Sequence, residues 1–423
     1  MTDAPAPDAP APGAPPTVTG EGGPPDGPGG RGRWPGGPRG GPERRGLYDR
    51  RAQRGRERWS LPGRLLTAVL AHPEAVLAAS GGRAPVEVDG RVLNRRVQAL
   101  RDLVATLDRT TNRRGDTPDP VANRAVFSAT TRMVMTARTD VHVTGRTIPG
   151  VDGGPDLPVR TYRRFGVGIG RRGWRPSAIV YFHGGGWVVG DLDSHDASCR
   201  LIAAVTGCVV VAVDYRLAPE HPFPAAVEDS LAAYAWVQRN HAVLGTAPGQ
   251  VGVMGDSAGG NLAAVVAQET RPGGRSAAPD VPPPVAQCLV YPSVDLRMLT
   301  ESTRVMGEGF FLTSESMHAF RAHYVPDPAD WGDPRVSPLL APSLEGVAPA
   351  VVVTAGFDLL RDEGDAYAAA LARAGVEVEH RCYDDVVHGF FGMGVIPDCL
   401  ALATEVCDAM GSLMRRAAGA GDA

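Results

Sequence analysis

Lysine is missing from the sequence altogether: all 43 Lys and Arg positions are arginine. That absence excludes a phosphate loop of the Walker type, whose lysine reaches the phosphates. It equally excludes a pyridoxal Schiff base and a Ser-Lys hydrolase, both of which need the amine. Cysteine is sparse. Cys199, Cys208, Cys288, Cys382, Cys399 and Cys407 form no Cys-x-x-Cys pair, and no His or Cys cluster has metal-ligand spacing, so neither a zinc site nor a disulfide framework is expected. Cys208 and Cys288 sit beside or inside apolar runs and read as small core residues. A reduced, cytoplasmic protein follows. Long hydrophobic runs are lacking too. The most apolar early stretch, Leu61 to Ala79, is interrupted by Arg64, His72, Pro73 and Glu74 and is no membrane span. The opening Met1-Thr2-Asp3-Ala4 carries neither a basic nor an apolar leader region, so no secretory signal is expected. A net charge of -4 argues against nucleic acid as the main partner.

What is present divides the chain into three segments. Residues 1–46 are largely Pro, Gly and Ala with scattered charge, too poor in apolar surface to offset their conformational entropy, and are expected to be a disordered tail. The arginines crowded between Arg31 and Arg58 read as a solvated stretch rather than a binding surface. In 47–140, Leu93, Val97, Leu100, Val104 and Leu107 recur at helical spacing, with arginines between them, and Leu65, Val69 and Leu70 suggest a second, shorter helix. Two such helices make a poor free-standing domain and are expected to lie across something larger.

From Val141 onward, in 141–423, short β-rich runs alternate with helix-length stretches. Val141 to Ile148 and Leu157 to Arg163 suggest an antiparallel pair. Ala178 to Phe182, Val209 to Val213, Val251 to Met254, Cys288 to Tyr291 and Ala350 to Thr354 are continuous apolar runs, and Val376 to Tyr383 alternates. The pattern implies an α/β fold with a mostly parallel central sheet and helices on both faces. Ligands of such sheets bind beyond the carboxyl ends of the strands.

Three of those strand ends carry acyl-transfer chemistry. Gly255-Asp256-Ser257-Ala258-Gly259 fits Gly-x-Ser-x-Gly, in which a tight strand-to-helix turn exposes the serine and the following helix aims its N-terminal dipole at developing negative charge. His183-Gly184-Gly185-Gly186-Trp187 follows the Ala178 strand, and its glycine amides, with that of Ala258, can form an oxyanion hole. The acid should precede the histidine in the chain. Asp358 lies nearest the end of the Ala350 strand, whereas its competitors Asp362, Glu363 and Asp365 belong to the start of the next helix. His388 follows the last strand in a loop and is preferred over His380, which lies within it. His318 and His323 share one helix and suit a pocket wall. His195 and His221 show no catalytic signal.

These residues resemble the hormone-sensitive lipase family of α/β-hydrolase esterases, in its Gly-Asp-Ser-Ala-Gly branch. The likeness rests on residues 183–187 and 255–260, on Asp214-Tyr215-Arg216-Leu217-Ala218-Pro219-Glu220-His221-Pro222-Phe223-Pro224, on Asp358 with Arg361-Asp362-Glu363-Gly364, and on His388-Gly389-Phe390. It implies an α/β-hydrolase fold with a helical cap, built from the N-terminal helices and an insertion near 296–324. It also implies hydrolysis of short- to medium-chain esters by Ser257, Asp358 and His388 without cofactor or metal. The oxyanion donors carry over as Gly185, Gly186 and Ala258, with Gly184 beside them. The expected partners are a small-molecule ester and, as candidate oligomer, a homodimer. The rival expectations are a deacylase or amidase of a specialised metabolite, and a non-catalytic binder on the same fold.

Overall fold

The computed structural model describes residues 61–79, 84–110, 120–135, 138, 140–167, 175–275 and 280–420. They fall within one compact unit, Gly46–Ala423. The expected tail, 1–46, lies outside the described residues.

Runs of β-branched residues that are apolar on both sides demand cover on both faces, and the structure supplies it. Besides a short antiparallel pair, Glu87–Val88 with Arg91–Val92, the strands are β1 (Val141–Ile148), β2 (Leu157–Arg164), β3 (Ala178–Phe182), β4 (Val209–Val213), β5 (Val251–Asp256), β6 (Gln287–Val290), β7 (Ala350–Phe357) and β8 (Val378–Val387). These eight form one sheet in the order β1-β2-β4-β3-β5-β6-β7-β8. The expected antiparallel pair β1–β2 is present, with Val141 opposite Arg164 and Ile148 opposite Leu157. β2 also runs antiparallel to β4. Every other pairing within this sheet is parallel. Every residue of β3 to β7 is buried.

Helices α5 (Asp196–Thr206) and α11 (Pro397–Ala420) share one core with the N-terminal helices and Ile179, Tyr181 and Met254 of the sheet. Helices α6 (Ala225–Arg239), α7 (Ala258–Glu269) and α10 (Arg361–Arg373) close the other core, through Tyr234, Leu262 and Leu371. The 24-residue α11 has no counterpart among the sequence expectations.

Among its described residues the N-terminal segment holds four helices where two are expected: α1 (Leu61–Leu70), α2 (Pro73–Ala79), α3 (Arg95–Thr110) and α4 (Pro120–Val134). The expected stripe on α3 is real for Val97 and Leu100, which are buried with Leu93 just ahead of the helix. Val104 turns toward a cavity instead, and the Leu107 side chain lies outside the described residues. Of the three residues expected to form the apolar stripe of α1, Leu70 is buried, while Leu65 and Val69 face outward. Arg124 anchors α4. Its Nε donates to the Val188 carbonyl at 2.8 Å and its Nη2 to the Ala218 carbonyl at 2.9 Å, while both terminal nitrogens grip the Glu220 carboxylate. The fork of a guanidinium can do this, and a lysine ammonium cannot. The insertion after β6 folds as α8 (Glu301–Val305) and α9 (Ser314–Tyr324), the latter opened by a Thr313–Ser316 capping box.

Candidate active site

β5 ends at Asp256, and α7 begins at Ala258, leaving Ser257 alone to make the turn. Its backbone sits at φ 56, ψ -119. That region is costly for a side-chain-bearing residue and persists only where the surroundings enforce it. Here the Ser257 amide donates to Val290 O at the end of β6, and Ser293 N donates back to Ser257 O. Close approach sets the composition of the turn: a Cβ on Gly259 would lie 2.0 Å from Phe182 O, and one on Gly255 2.1 Å from Gly259 O.

β7 runs three residues beyond its expected end, to Phe357, so Asp358 is the first residue past it. β8 likewise runs on to Val387 and delivers His388. The two strands are neighbours, which brings acid and histidine side by side. His388 Nδ1 lies 2.7 Å from Asp358 Oδ2, and His388 Nε2 lies 3.0 Å from Ser257 Oγ. A carboxylate only accepts, so Nδ1 carries the proton and Nε2 is left as the acceptor for the serine hydroxyl. Asp358 is fully buried and its second oxygen accepts the Leu360 amide at 2.9 Å. The Tyr291 ring packs against His388, 4.6 Å between centroids.

The rival acids are engaged elsewhere. Asp362 accepts the Ser302 amide. Glu363, wholly buried, accepts the Val294 and Asp295 amides, and burial drives its carboxyl well above the usual range. Asp365 pairs with His380 at 2.9 Å. All three begin α10, as expected, but their partners are specific groups rather than the helix dipole alone.

The glycine loop follows β3, whose neighbour is β5; Phe182 pairs with Gly255, which sets the loop beside the serine turn. Gly185 and Gly186 adopt φ 120 and 59, open to glycine and unfavourable to other residues. A Cβ on Gly186 would also strike the Phe320 ring at 2.3 Å. The Gly184 amide is already spoken for, donating to Asp256 Oδ1 at 3.0 Å. Among the described residues, the amides of Gly185, Gly186 and Ala258 have no protein partner.

These groups open onto a cavity of about 420 Å³. Val104, Phe127 and Val134 from α3 and α4 form one wall, and Met317 and Phe320 from α9 another. The match to the family described as "alpha/beta hydrolase fold" spans residues 179–392, from the glycine-loop strand to just past His388. The chain belongs to the α/β-hydrolase family, in its hormone-sensitive-lipase-like branch. It is 46% identical over 277 residues to the carboxylic ester hydrolase LipN of Mycobacterium tuberculosis, covering 65% of this chain and 71% of that one. It is 40% identical over 243 residues to an ethyl acetate hydrolase of Pseudomonas putida, covering 57% of this chain and 74% of the relative. Among solved structures, an ester hydrolase from the metagenome of Lake Arreo, complexed with a bipyridine phosphonate derivative, superposes with a TM-score of 0.68 at 34% identity. That match covers 78% of this chain and 99% of the other.

The remaining histidines separate cleanly within this α/β-hydrolase. His318 borders a surface groove beside Thr300 and Arg304 rather than the Ser257 cavity. His195, which shows no catalytic signal in the sequence, lines that cavity, with its Nε2 3.7 Å from Asp256 Oδ2. Tyr181 has no place among the sequence expectations either, although a tyrosine in a strand of aliphatic residues requires a partner for its hydroxyl; that partner is Asp256. Among the described residues, no group of three candidate ligands could hold a metal, and no helix is long and apolar enough to cross a membrane. All six cysteines are free, and five are buried, Cys208 and Cys288 among them as expected.

Proposed function

We propose that this α/β-hydrolase cleaves carboxylic esters of short to medium acyl chain through an acyl-enzyme on Ser257. The observation that carries the reading is the unbroken relay from Ser257 Oγ through His388 to the buried Asp358, at 3.0 and 2.7 Å. As Oγ attacks the ester carbonyl carbon, its proton passes to His388 Nε2, and Asp358 stabilises the imidazolium through Nδ1. The carbonyl oxygen becomes an oxyanion, received by the amides of Gly185, Gly186 and Ala258 with the α7 dipole behind them. Collapse expels the alcohol, which takes the proton from His388. Water then repeats the sequence on the acyl-enzyme and releases the acid. Gly184 is not among the donors in this reading, because its only amide proton is used by Asp256.

The cavity supports an apolar acyl group, and the two helical segments, α1–α4 and α8–α9, act as a cap over it. The names of the relatives favour esters over amides. A non-catalytic binder would have no use for a complete relay. Free thiols accord with a cytoplasmic setting, and the partner set is the small-molecule ester with a homodimer as candidate oligomer. Turnover of p-nitrophenyl esters of graded acyl length by the wild type and by Ser257→Ala tests the reading. The variant should lose at least about a thousandfold in kcat. Equal rates for the two proteins would end it.

A further inference from the structure

Asp256 is a buried carboxylate next to the nucleophile, on the side where negative charge would grow, and the relay above gives it no task. Its Oδ1 accepts two hydrogen bonds, from Tyr181 Oη at 2.5 Å and from the Gly184 amide at 3.0 Å. Tyr181 is fully buried in β3, two residues ahead of His183, so strand and loop are tied to a single oxygen. The contact is tight: a Cβ on Gly184 would meet Asp256 Oδ2 at 2.6 Å. Burial works against the charge, yet His195, Tyr181 and His183 together hold the carboxyl below the usual aspartate range. The loop is pinned from its other side as well. His183 Nδ1 lies 2.8 Å from Gly184 O, its ring stacks on Tyr215 at 4.3 Å, and Tyr215 Oη donates to His183 O at 2.7 Å.

We propose that Asp256 is a positioning residue for ester turnover: its Oδ1, aimed by Tyr181, captures the Gly184 amide and so presents the next two amides to the substrate oxygen. The inference rests on the ester-hydrolase reading of Ser257. One peptide plane separates the captured amide from the Gly185 amide, so a rotation at Gly184 swings the donor directly. Glycines resist such rotation poorly by themselves. The acceptor does the positioning and the negative charge does not; an asparagine carbonyl in the same place serves nearly as well.

The test compares wild type, Asp256→Ala, Asp256→Asn and Tyr181→Phe on a p-nitrophenyl ester and on a trifluoromethyl ketone that becomes tetrahedral on Ser257. Asp256→Ala should lose about tenfold to a hundredfold in kcat, with KM changed less than about threefold. Affinity for the ketone should weaken by a similar factor. Asp256→Asn should recover most of that loss, and Tyr181→Phe should fall between. Should Asp256→Ala fail to fold, Tyr181→Phe decides alone, through a drop in kcat and ketone affinity at unchanged KM. The proposal is overturned if Asp256→Ala keeps wild-type kcat, if Asp256→Asn is as poor as Asp256→Ala, or if Tyr181→Phe leaves kcat and ketone affinity unchanged. A wild type without Ser257-dependent ester hydrolysis would instead overturn the reading beneath it.

Discussion

Arg124→Ala should loosen α4 from the hydrolase core and raise KM for longer acyl chains. Two of the lost bonds run from a charged donor to the Val188 and Ala218 carbonyls, at 2.8 and 2.9 Å. A bond of that kind contributes about 1.5 kcal/mol net. The Glu220 pair adds little, since that side chain is 44% exposed and such pairs are worth under about 1 kcal/mol. The sum, about 3 kcal/mol, corresponds to a fall in melting temperature of about 4 °C for a domain of this size. Glu220→Gln should cost far less, because the anchoring carbonyls remain paired. Differential scanning fluorimetry gives the first quantity, and KM across an acyl series gives the second, because Phe127 and Val134 of α4 form the cavity wall. Arg124 also holds the Glu220 carboxyl down to about 2 from 4.5. A depressed acid contributes stability above its unfolded pKa and loses it as pH falls through the folded one. The small gap between wild type and Glu220→Gln should therefore be full at pH 6 and shrink from pH 4.5 toward 2. If Glu220→Gln costs as much as Arg124→Ala, or Arg124→Ala moves neither quantity, the anchoring argument is refuted.

Two further outcomes are expected. Asp358→Asn should reduce kcat about 10⁴-fold at unchanged fold stability, because an amide no longer fixes the proton on His388 Nδ1; steady-state kinetics at saturating ester reads it, and a loss under tenfold would remove Asp358 from the relay. Asp214 is pushed up to about 6 by burial and by the neighbouring Asp191 charge. A raised acid favours folding while protonated, so the contribution of Asp214 to stability is full below about pH 4 and declines as pH climbs toward 6. Asp214→Asn should remove that decline, adding about 1–2 kcal/mol at pH 7.5 and nothing at pH 4, read by denaturant titration at both.

The strands of the sheet are legible in the sequence because β3, β4, β5, β6 and β7 must be apolar on both sides, leaving short continuous runs that little else produces. Ser257 and Asp358 can be placed for a related reason, since each follows closely on such a run, whereas His388 is placed by the loop that follows the alternating strand. Among the helices that the sequence hides, α4 and α11 are hidden for opposite reasons. α4 mixes Asn, Arg, Ser and Thr with alanine, so its stripe is faint, and Phe127, Thr130, Thr131 and Val134 line a cavity rather than a packed core. α11 does carry an exposed polar line, Glu405, Asp408 and Arg415, but it is narrow against the Ala, Cys, Met and Leu that fill much of the rest of its circumference. The extra residues of β7 and β8 are masked by Gly356 and by Asp384-Asp385, which read as turn residues but sit at a register shift inside the strands, beyond which Val387 still pairs with Phe357. The engagement of Gly184 is beyond sequence altogether, since it depends on β3 lying next to β5 rather than on local composition.

The proposed relay of Ser257, His388 and Asp358 stands on ends of the sheet, whereas the walls of the cavity come from α3 and α4, far before Ser257 in the chain, and from α9, well after it. Substitutions in those helices, at Phe127, Met317 or Phe320, can therefore reshape what the pocket accepts while the Ser257 turn keeps its supports in β5, β6 and α7. Substrate range and chemical competence can drift apart in this molecule: one is written into a removable wall, the other into the sheet.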